Sequence, residues 1–234
     1  PAPYRMAPFV LTVAELAEVF HLADYSISTH AGGNSTVAHV RSGAFDYAVK
    51  DYSGRVDSLQ RQQQETSALI LVNQHLNRYF ASPMGVSHDG LRAVHSWIDG
   101  IHPVTNVQTV SHMLEMLLAL HQLSSHTTQD RAKPATDNIL LPQQLQQQME
   151  NRISVLLLGP PEVRRVTHER LIPAFQRLRS PSNGSGSPTQ TLSPSDFGVH
   201  NLLWNNATQS MHCVDLEFFG WDDAHKLVCD TLLH

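Results

Sequence analysis

The stretch Leu192-Ser-Pro-Ser-Asp-Phe-Gly-Val-His-Asn-Leu-Leu-Trp204, the linker Asn205-Asn-Ala-Thr-Gln-Ser210 and the run Met211-His-Cys-Val-Asp-Leu-Glu-Phe-Phe-Gly-Trp-Asp-Asp223 decide how this chain is read. Two apolar runs, 201–204 and 211–216, flank a polar linker and predict a β-hairpin. With Trp204 paired to Met211, Asn201 stands opposite Val214 and beside Asp215, and Asp196 lies on the loop entering the hairpin. The open end of one ribbon thereby gathers two carboxylates and an amide. An amide oxygen and a carboxylate suit magnesium, which takes oxygen ligands and keeps part of its water shell beside substrate phosphates. A second carboxylate free of the metal can accept a hydroxyl proton, so the set matches the needs of phosphoryl transfer from a nucleotide to an alcohol. For any one of the three residues taken alone, a turn in which Asp or Asn caps backbone groups is the alternative.

Working outward, the chain reads as sheet first and helices later. Thr12 to Ala23 is expected to open as a helix, with Thr12 and Glu15 forming a capping box. Gly32-Gly33-Asn34 precedes two β-rich segments, Thr36 to Val40 and Phe45 to Tyr52, joined by a turn at Ser42-Gly43, which predicts a hairpin with a flexible flap at its start. Leu59 to Leu76 has helical period, with Glu65, Leu69, Val72 and Leu76 on one stripe. Glu65 is either buried in that stripe or at its edge in water. Leu91 to Ile98 reads as a strand ending at the Asp99-Gly100 turn. Val107 to Leu123 is an amphipathic helix expected to bury Val110, Met113, Leu114, Leu117 and Leu118. Pro142 to Leu158 and Arg164 to Arg179 are further helices, and 180–191 has the composition of a mobile loop.

Composition narrows the function classes. The 234 residues carry 41% hydrophobic side chains, enough for one sizeable core or two lobes sharing a cleft. A net charge of -5 argues against a nucleic-acid or anionic-membrane partner. No apolar run approaches the ~20 residues of a membrane helix, and Pro8 to Ala14 runs straight into Glu15 and Glu18, unlike a signal peptide. Two cysteines alone, Cys213 and Cys229, predict reduced core thiols in a cytoplasmic protein. The fifteen histidines do not fall at zinc-ligand spacings.

The pattern Asp196-x-x-x-x-Asn201 with Asp215 at a strand end resembles the catalytic and metal-binding segments of the aminoglycoside phosphotransferase and choline kinase-like family, relatives of the protein kinases. Leu192 to Asn201 is similar to its H-G-D-x-x-x-x-N loop, and Val214 to Asp223 to its I-D-F-E-x-x-x-x-G-D segment. The resemblance implies that Asp196 is the catalytic base and that Asn201 and Asp215 hold magnesium. It implies ATP or GTP as cofactor, with Gly32, Gly33, Asn34 and Ser35 over its phosphates, Lys50 on the α and β phosphates, Glu65 as the partner of Lys50, and Trp97-Ile98 as the adenine hinge. Leu120-His121 resembles the L-H pair ending a core helix. Two departures stand out: Pro194 replaces the family's histidine two residues before the aspartate, and Gly198-Val199-His200 replaces H-P-G.

The expected fold is α+β, a two-lobed protein-kinase-like architecture: a sheet-rich nucleotide-binding lobe over residues 1–95 and a mainly helical lobe over 96–234. The family's helices beyond the metal aspartate imply a helical lobe truncated at His234. The expected function is ATP- and magnesium-dependent phosphorylation of a small-molecule acceptor, an amino alcohol, sugar or aminocyclitol. The rival, favoured by Pro194 and the short ending, is a nucleotide-binding pseudokinase that regulates or scaffolds a partner.

Overall fold

The computed structural model describes residues 26–30, 36–42, 45–54, 56–178 and 189–233. The expected helix Thr12 to Ala23, the loop Gly32 to Ser35, the turn glycine Gly43 and positions 180–188 lie outside them. Strands β1 (Ser26–His30), β2 (Thr36–Ser42), β3 (Phe45–Asp51), β4 (Pro83–Val86) and β5 (Arg92–Ser96) form an antiparallel sheet in the order β1-β2-β3-β5-β4. The expected hairpin is β2–β3, paired from Thr36 with Asp51 to Ser42 with Phe45. Strand β4 has no counterpart in the sequence reading; it opens with proline and pairs irregularly at the sheet edge, where a missing N–H is tolerated.

Register decides which side chains meet. His39 pairs with Ala48, Ala48 with His95, and Lys50 with Ala93. Side chains alternate across a strand, so His39, Ala48, Lys50 and His95 share one face. Helix α1 (Ser58–Leu76) covers it with a stripe that is charged at one end, Arg61 and Glu65, and apolar at the other, Leu69 and Val72.

That apolar end continues into one core with the helical part. Helix α2 (Val107–Ser125) packs on strand β6 (Gln190–Ser193), and Met116, Leu120, Leu192, Phe197, Leu202 and Leu216 are all fully buried between them and the following ribbon. The face expected to be core on α2 is corrected. Met113, Met116, Leu117, Leu120 and Leu123 are buried, whereas Val110, Leu114 and Leu118 are exposed. The helix is apolar on two sides, and only the position of β6 selects one.

Helix α3 (Pro142–Leu156) matches its reading, but the next does not. In place of one helix from Arg164 to Arg179 there are α4 (Pro161–Val166), a π-turn (Thr167–Leu171) and α5 (Ile172–Leu178). Pro173 supplies the reason: it has no N–H, and its ring would clash with the carbonyl four residues earlier, so the chain widens to a five-residue bond from Ile172 N–H to Thr167 O.

Gln190 and Thr191, expected in a mobile loop, are strand β6 and pair with Asp223 and Asp222 of β9 (Gly220–Asp223). The chain closes with the expected hairpin, β7 (Leu202–Asn205) and β8 (Ser210–Cys213), in which Trp204 pairs with Met211 in the register assumed from the sequence, and with α6 (Ala224–Leu233). Cys213 is buried, but Cys229 is exposed on α6 rather than in the core. Among the described residues no helix is long and apolar enough to cross a membrane.

Gly220 marks the tightest approach. A Cβ there would lie 2.3 Å from Lys133 O and 2.5 Å from Ala135 N, backbone atoms that cannot swing aside. Gly220→Ala is therefore expected to cost about 1–3 kcal/mol, as overpacking does, and to lower Tm by roughly 2–12 °C in a thermal melt.

Candidate active site

The β3 register aims Lys50 at α1, and helical spacing aims Glu65 back at it. Lys50 Nζ donates to Glu65 Oε2 at 2.7 Å and to Asp215 Oδ1 at 2.5 Å, and Glu217 Oε2 stands 3.8 Å away. Tyr52 donates its hydroxyl to Glu65 Oε2 at 2.6 Å, and the Leu216 N–H donates to Glu65 Oε1 at 3.2 Å. Glu65 thus ties sheet, helix and the segment after β8 together. It is 3% exposed and Lys50 5%, so the open alternative closes in favour of the buried stripe. Arg61, one turn before Glu65, donates to Glu217 Oε1 and, at 2.6 Å, to Asp57 Oδ2.

The three residues of the ribbon's open end come together as its pairing requires. The Val214 N–H donates to Asn201 O at 2.9 Å, setting Asn201 beside Asp215. Asn201 Nδ2 donates to Asp196 O at 2.9 Å, which leaves the amide oxygen as the acceptor on that side chain. Asp215 sits at φ 64°, a left-handed turn that brings its carboxylate back toward Lys50. Asp196 is partly exposed and lies 3.2 Å from His200 Nε2.

One ammonium between several acids cannot serve them equally. Burial alone would push Lys50 down, but Glu65, Asp215 and Glu217 outweigh it and hold the ammonium above the ordinary lysine value. Burial also pushes Glu65 up, yet Lys50 and the bonds from Lys50 and Tyr52 bring it below the usual carboxylate range. Asp215 goes the other way: burial, with Glu65 and Asp196 nearby, raises it despite Lys50. Burial and Asp215 likewise raise Glu217. The pair Lys50–Glu65 is the settled one, and Asp215 is the carboxylate whose charged form burial disfavours.

Other assigned positions fall differently. The Trp97 N–H is spent on Asp46 O at 3.0 Å, and its ring stacks on His39 with centroids 3.8 Å apart. Ile98 follows it out of β5. Gly32, Gly33, Asn34 and Ser35 lie outside the described residues. Leu120 is buried, and α2 runs on past His121 to Ser125. Four contributors carried no role in the sequence reading. Tyr52, Arg61 and Glu217 join the charged cluster, and His95 is buried on the face of Lys50 with both ring nitrogens lacking a hydrogen-bond partner among the described residues. Arg61 had a legible signal, four residues before Glu65 on the same face; for His95 only β3–β5 pairing reveals it.

The donor set fits magnesium. Asn201 offers an amide oxygen, Asp215 a carboxylate that burial raises, and Glu217 a buried oxygen without a hydrogen bond. Glu65, Asp215 and Glu217 each place one oxygen within 4.8 Å of the others.

The model of the phosphotransferase enzyme family matches residues 26–226. Among solved structures, macrolide 2'-phosphotransferase type I superposes with TM-score 0.61 at 13% identity, covering 96% of this chain and 78% of that one. The choline kinase of Streptococcus pneumoniae gives 0.59 at 13%, covering 94% and 72%, and an aminoglycoside phosphotransferase of Streptomyces rimosus gives 0.58 at 12%, covering 94% and 80%. At such identities the likeness is one of fold, the two-lobed kinase-like architecture. No curated protein matches the sequence.

Burial changes what Lys50 is worth. A solvated cleft pair would contribute ~1 kcal/mol, whereas deleting one partner of a buried pair costs about 3–5 kcal/mol. Lys50→Ala is expected in the second range by urea unfolding, since it strands three acids. Asp215→Asn should do the opposite. A carboxyl raised by folding favours the native state while protonated and loses that contribution as pH rises through its raised value. At pH 7 Asp215→Asn should therefore melt at or above the wild type, the gap narrowing as the pH is lowered.

Proposed function

The chain belongs to the phosphotransferase enzyme family and is a small-molecule kinase, and from that premise we propose that it transfers a phosphoryl group from ATP or GTP, with magnesium, to a hydroxyl of an amino alcohol, sugar or aminocyclitol. The observation that carries this reading is the convergence of Lys50, Glu65, Asn201 and Asp215, from four separate segments, beside a partly exposed carboxylate at Asp196. Solved proteins of the same fold include kinases whose names give macrolide, choline and aminoglycoside as acceptors. Their range supports the class of acceptor and no single member.

In this reading Asn201 and Asp215 would hold magnesium, which when bound neutralises charge on the phosphate oxygens. Lys50, held by Glu65, presents its ammonium to the α and β phosphates. Asp196 accepts the proton of the acceptor hydroxyl as the oxygen attacks, and its partial exposure leaves room for that substrate. By resemblance alone Gly32, Gly33, Asn34 and Ser35 are assigned to the phosphates, and the Trp97-Ile98 segment would border the base. A cytoplasmic setting belongs to the same reading.

The test is nucleotide consumption over a panel of amines, sugars and alcohols. Asp196→Asn is expected to lower turnover by about 10² to 10⁴, the usual worth of a general base, while leaving nucleotide affinity within error. Wild-type protein should also melt higher with magnesium nucleotide; at about 100 times the dissociation constant the gain is ~2.7 kcal/mol. Binding without any transfer, and an Asp196→Asn variant indistinguishable from wild type, would establish the scaffolding pseudokinase instead.

A further inference from the structure

Asp196 is held from behind by Asn201, but the two residues before it give its loop little backbone support. Pro194 has no N–H to donate, and the Ser195 N–H is taken by Ser193 Oγ at 2.9 Å. Ser195 itself stands at φ 67°, the left-handed region where a side chain is strained. The chain therefore turns sharply one residue before Asp196, against the preference of the residue that makes the turn. A glycine would make it freely; what serine adds is a hydroxyl.

That hydroxyl is bonded on both sides. Ser195 Oγ donates to Thr136 O at 2.8 Å and accepts from Lys226 Nζ at 3.5 Å. Each end is fixed in turn. The Thr136 N–H donates to Phe218 O at 3.1 Å, just before β9, and the Ala135 N–H to Trp221 O at 2.9 Å, on β9 itself. Lys226, on the first turn of α6, is gripped by Asp222 at 2.9 Å and Asp230 at 2.8 Å. Asp222, on β9, is fully buried and accepts the Ile139 N–H at 2.8 Å, so the lysine's anchor is tied to the same loop that carries Thr136.

We propose that Ser195 and Lys226 are positioning residues for the catalytic aspartate: the relay from Lys226 through the Ser195 hydroxyl to Thr136 O fixes the strained turn that presents Asp196 to the acceptor. The inference rests on the reading of Asp196 as the proton acceptor. The relay does not touch the Lys50 cluster, and its loss acts on turnover and not on nucleotide binding.

Ser195→Ala and Ser195→Gly separate positioning from structure, because both remove the hydroxyl and only the glycine removes the strain. Ser195→Gly should melt higher than Ser195→Ala, yet both should lose kcat alike, by about 10 to 10², the cost of misplacing a catalytic group by ~1 Å, with the nucleotide KM unchanged. Lys226→Met should fall in the same range, Lys226→Arg should recover part of it, and the double variant Ser195→Ala/Lys226→Met should be no worse than either single one. Turnover that returns to the wild-type level in Ser195→Gly, or losses that multiply in the double variant, would overturn the relay. Failure of the Asp196 reading shows separately, as turnover retained in Asp196→Asn. Crystal structures of Ser195→Ala and Lys226→Met then decide the relay without kinetics: Asp196 displaced supports it, and Asp196 in its wild-type place sinks it.

Discussion

A single buried ammonium, Lys50 Nζ, sits among carboxylates drawn from a helix and from the segment after a hairpin, and the relation of the sheet to the rest depends on it. Glu65 on α1 and Asp215 beyond β8 each take one of its hydrogens, and Glu217 waits at 3.8 Å. Because an uncompensated charge in that position is costly, β3, α1 and the ribbon are constrained to one mutual arrangement. The apolar contacts below agree with it. Leu69 and Val72 lie one and two turns along the same helix and belong to the core that holds Phe197 and Leu216.

The cluster is asymmetric, and the asymmetry is chemically useful. Glu65 receives bonds from Lys50, Tyr52 and a backbone N–H and is held ionised, whereas Asp215 shares the ammonium and is raised by burial. Stability alone does not call for such an arrangement, since apolar residues of similar volume would serve as well. A site with one satisfied and one underserved acid is prepared to take up positive charge. Arg61 extends the logic one helical turn, balancing Glu217 and resting its guanidinium 4.4 Å from the Phe218 ring centre.

The catalytic loop is built by a different device. Ser195 and Asp215 both adopt left-handed backbone, at φ 67° and 64°. These conformations persist because the surroundings over-determine them. For Asp215 the determinant is the ion pair to Lys50. For Ser195 it is the pair of hydroxyl bonds that end on the 133–139 loop and on α6.

Much of this was legible in the chain. The hairpin follows from two apolar runs and a polar linker, and once Trp204 is set opposite Met211 so does the meeting of Asp196, Asn201 and Asp215, because antiparallel pairing leaves little freedom after one pair is fixed. Lys50 and Glu65 could be matched by motif, but not their burial, since helical period alone cannot tell a stripe's centre from its edge. The exposed side of α2 shows the same limit: Val110, Leu114 and Leu118 are as apolar as the residues that are buried. Edge strand β4, the π-turn ahead of Pro173 and the strand at Gln190 depend on partners or on local clashes that composition does not encode. The sequence by itself determined which residues hold oxygen, nitrogen and charge, and in what order along the chain. Only the tertiary structure decided which carboxyl is lowered and which raised, which hydroxyl bridges two segments and which helix face is core, because each of those depends on what else stands within a few ångströms once distant segments have closed on one another.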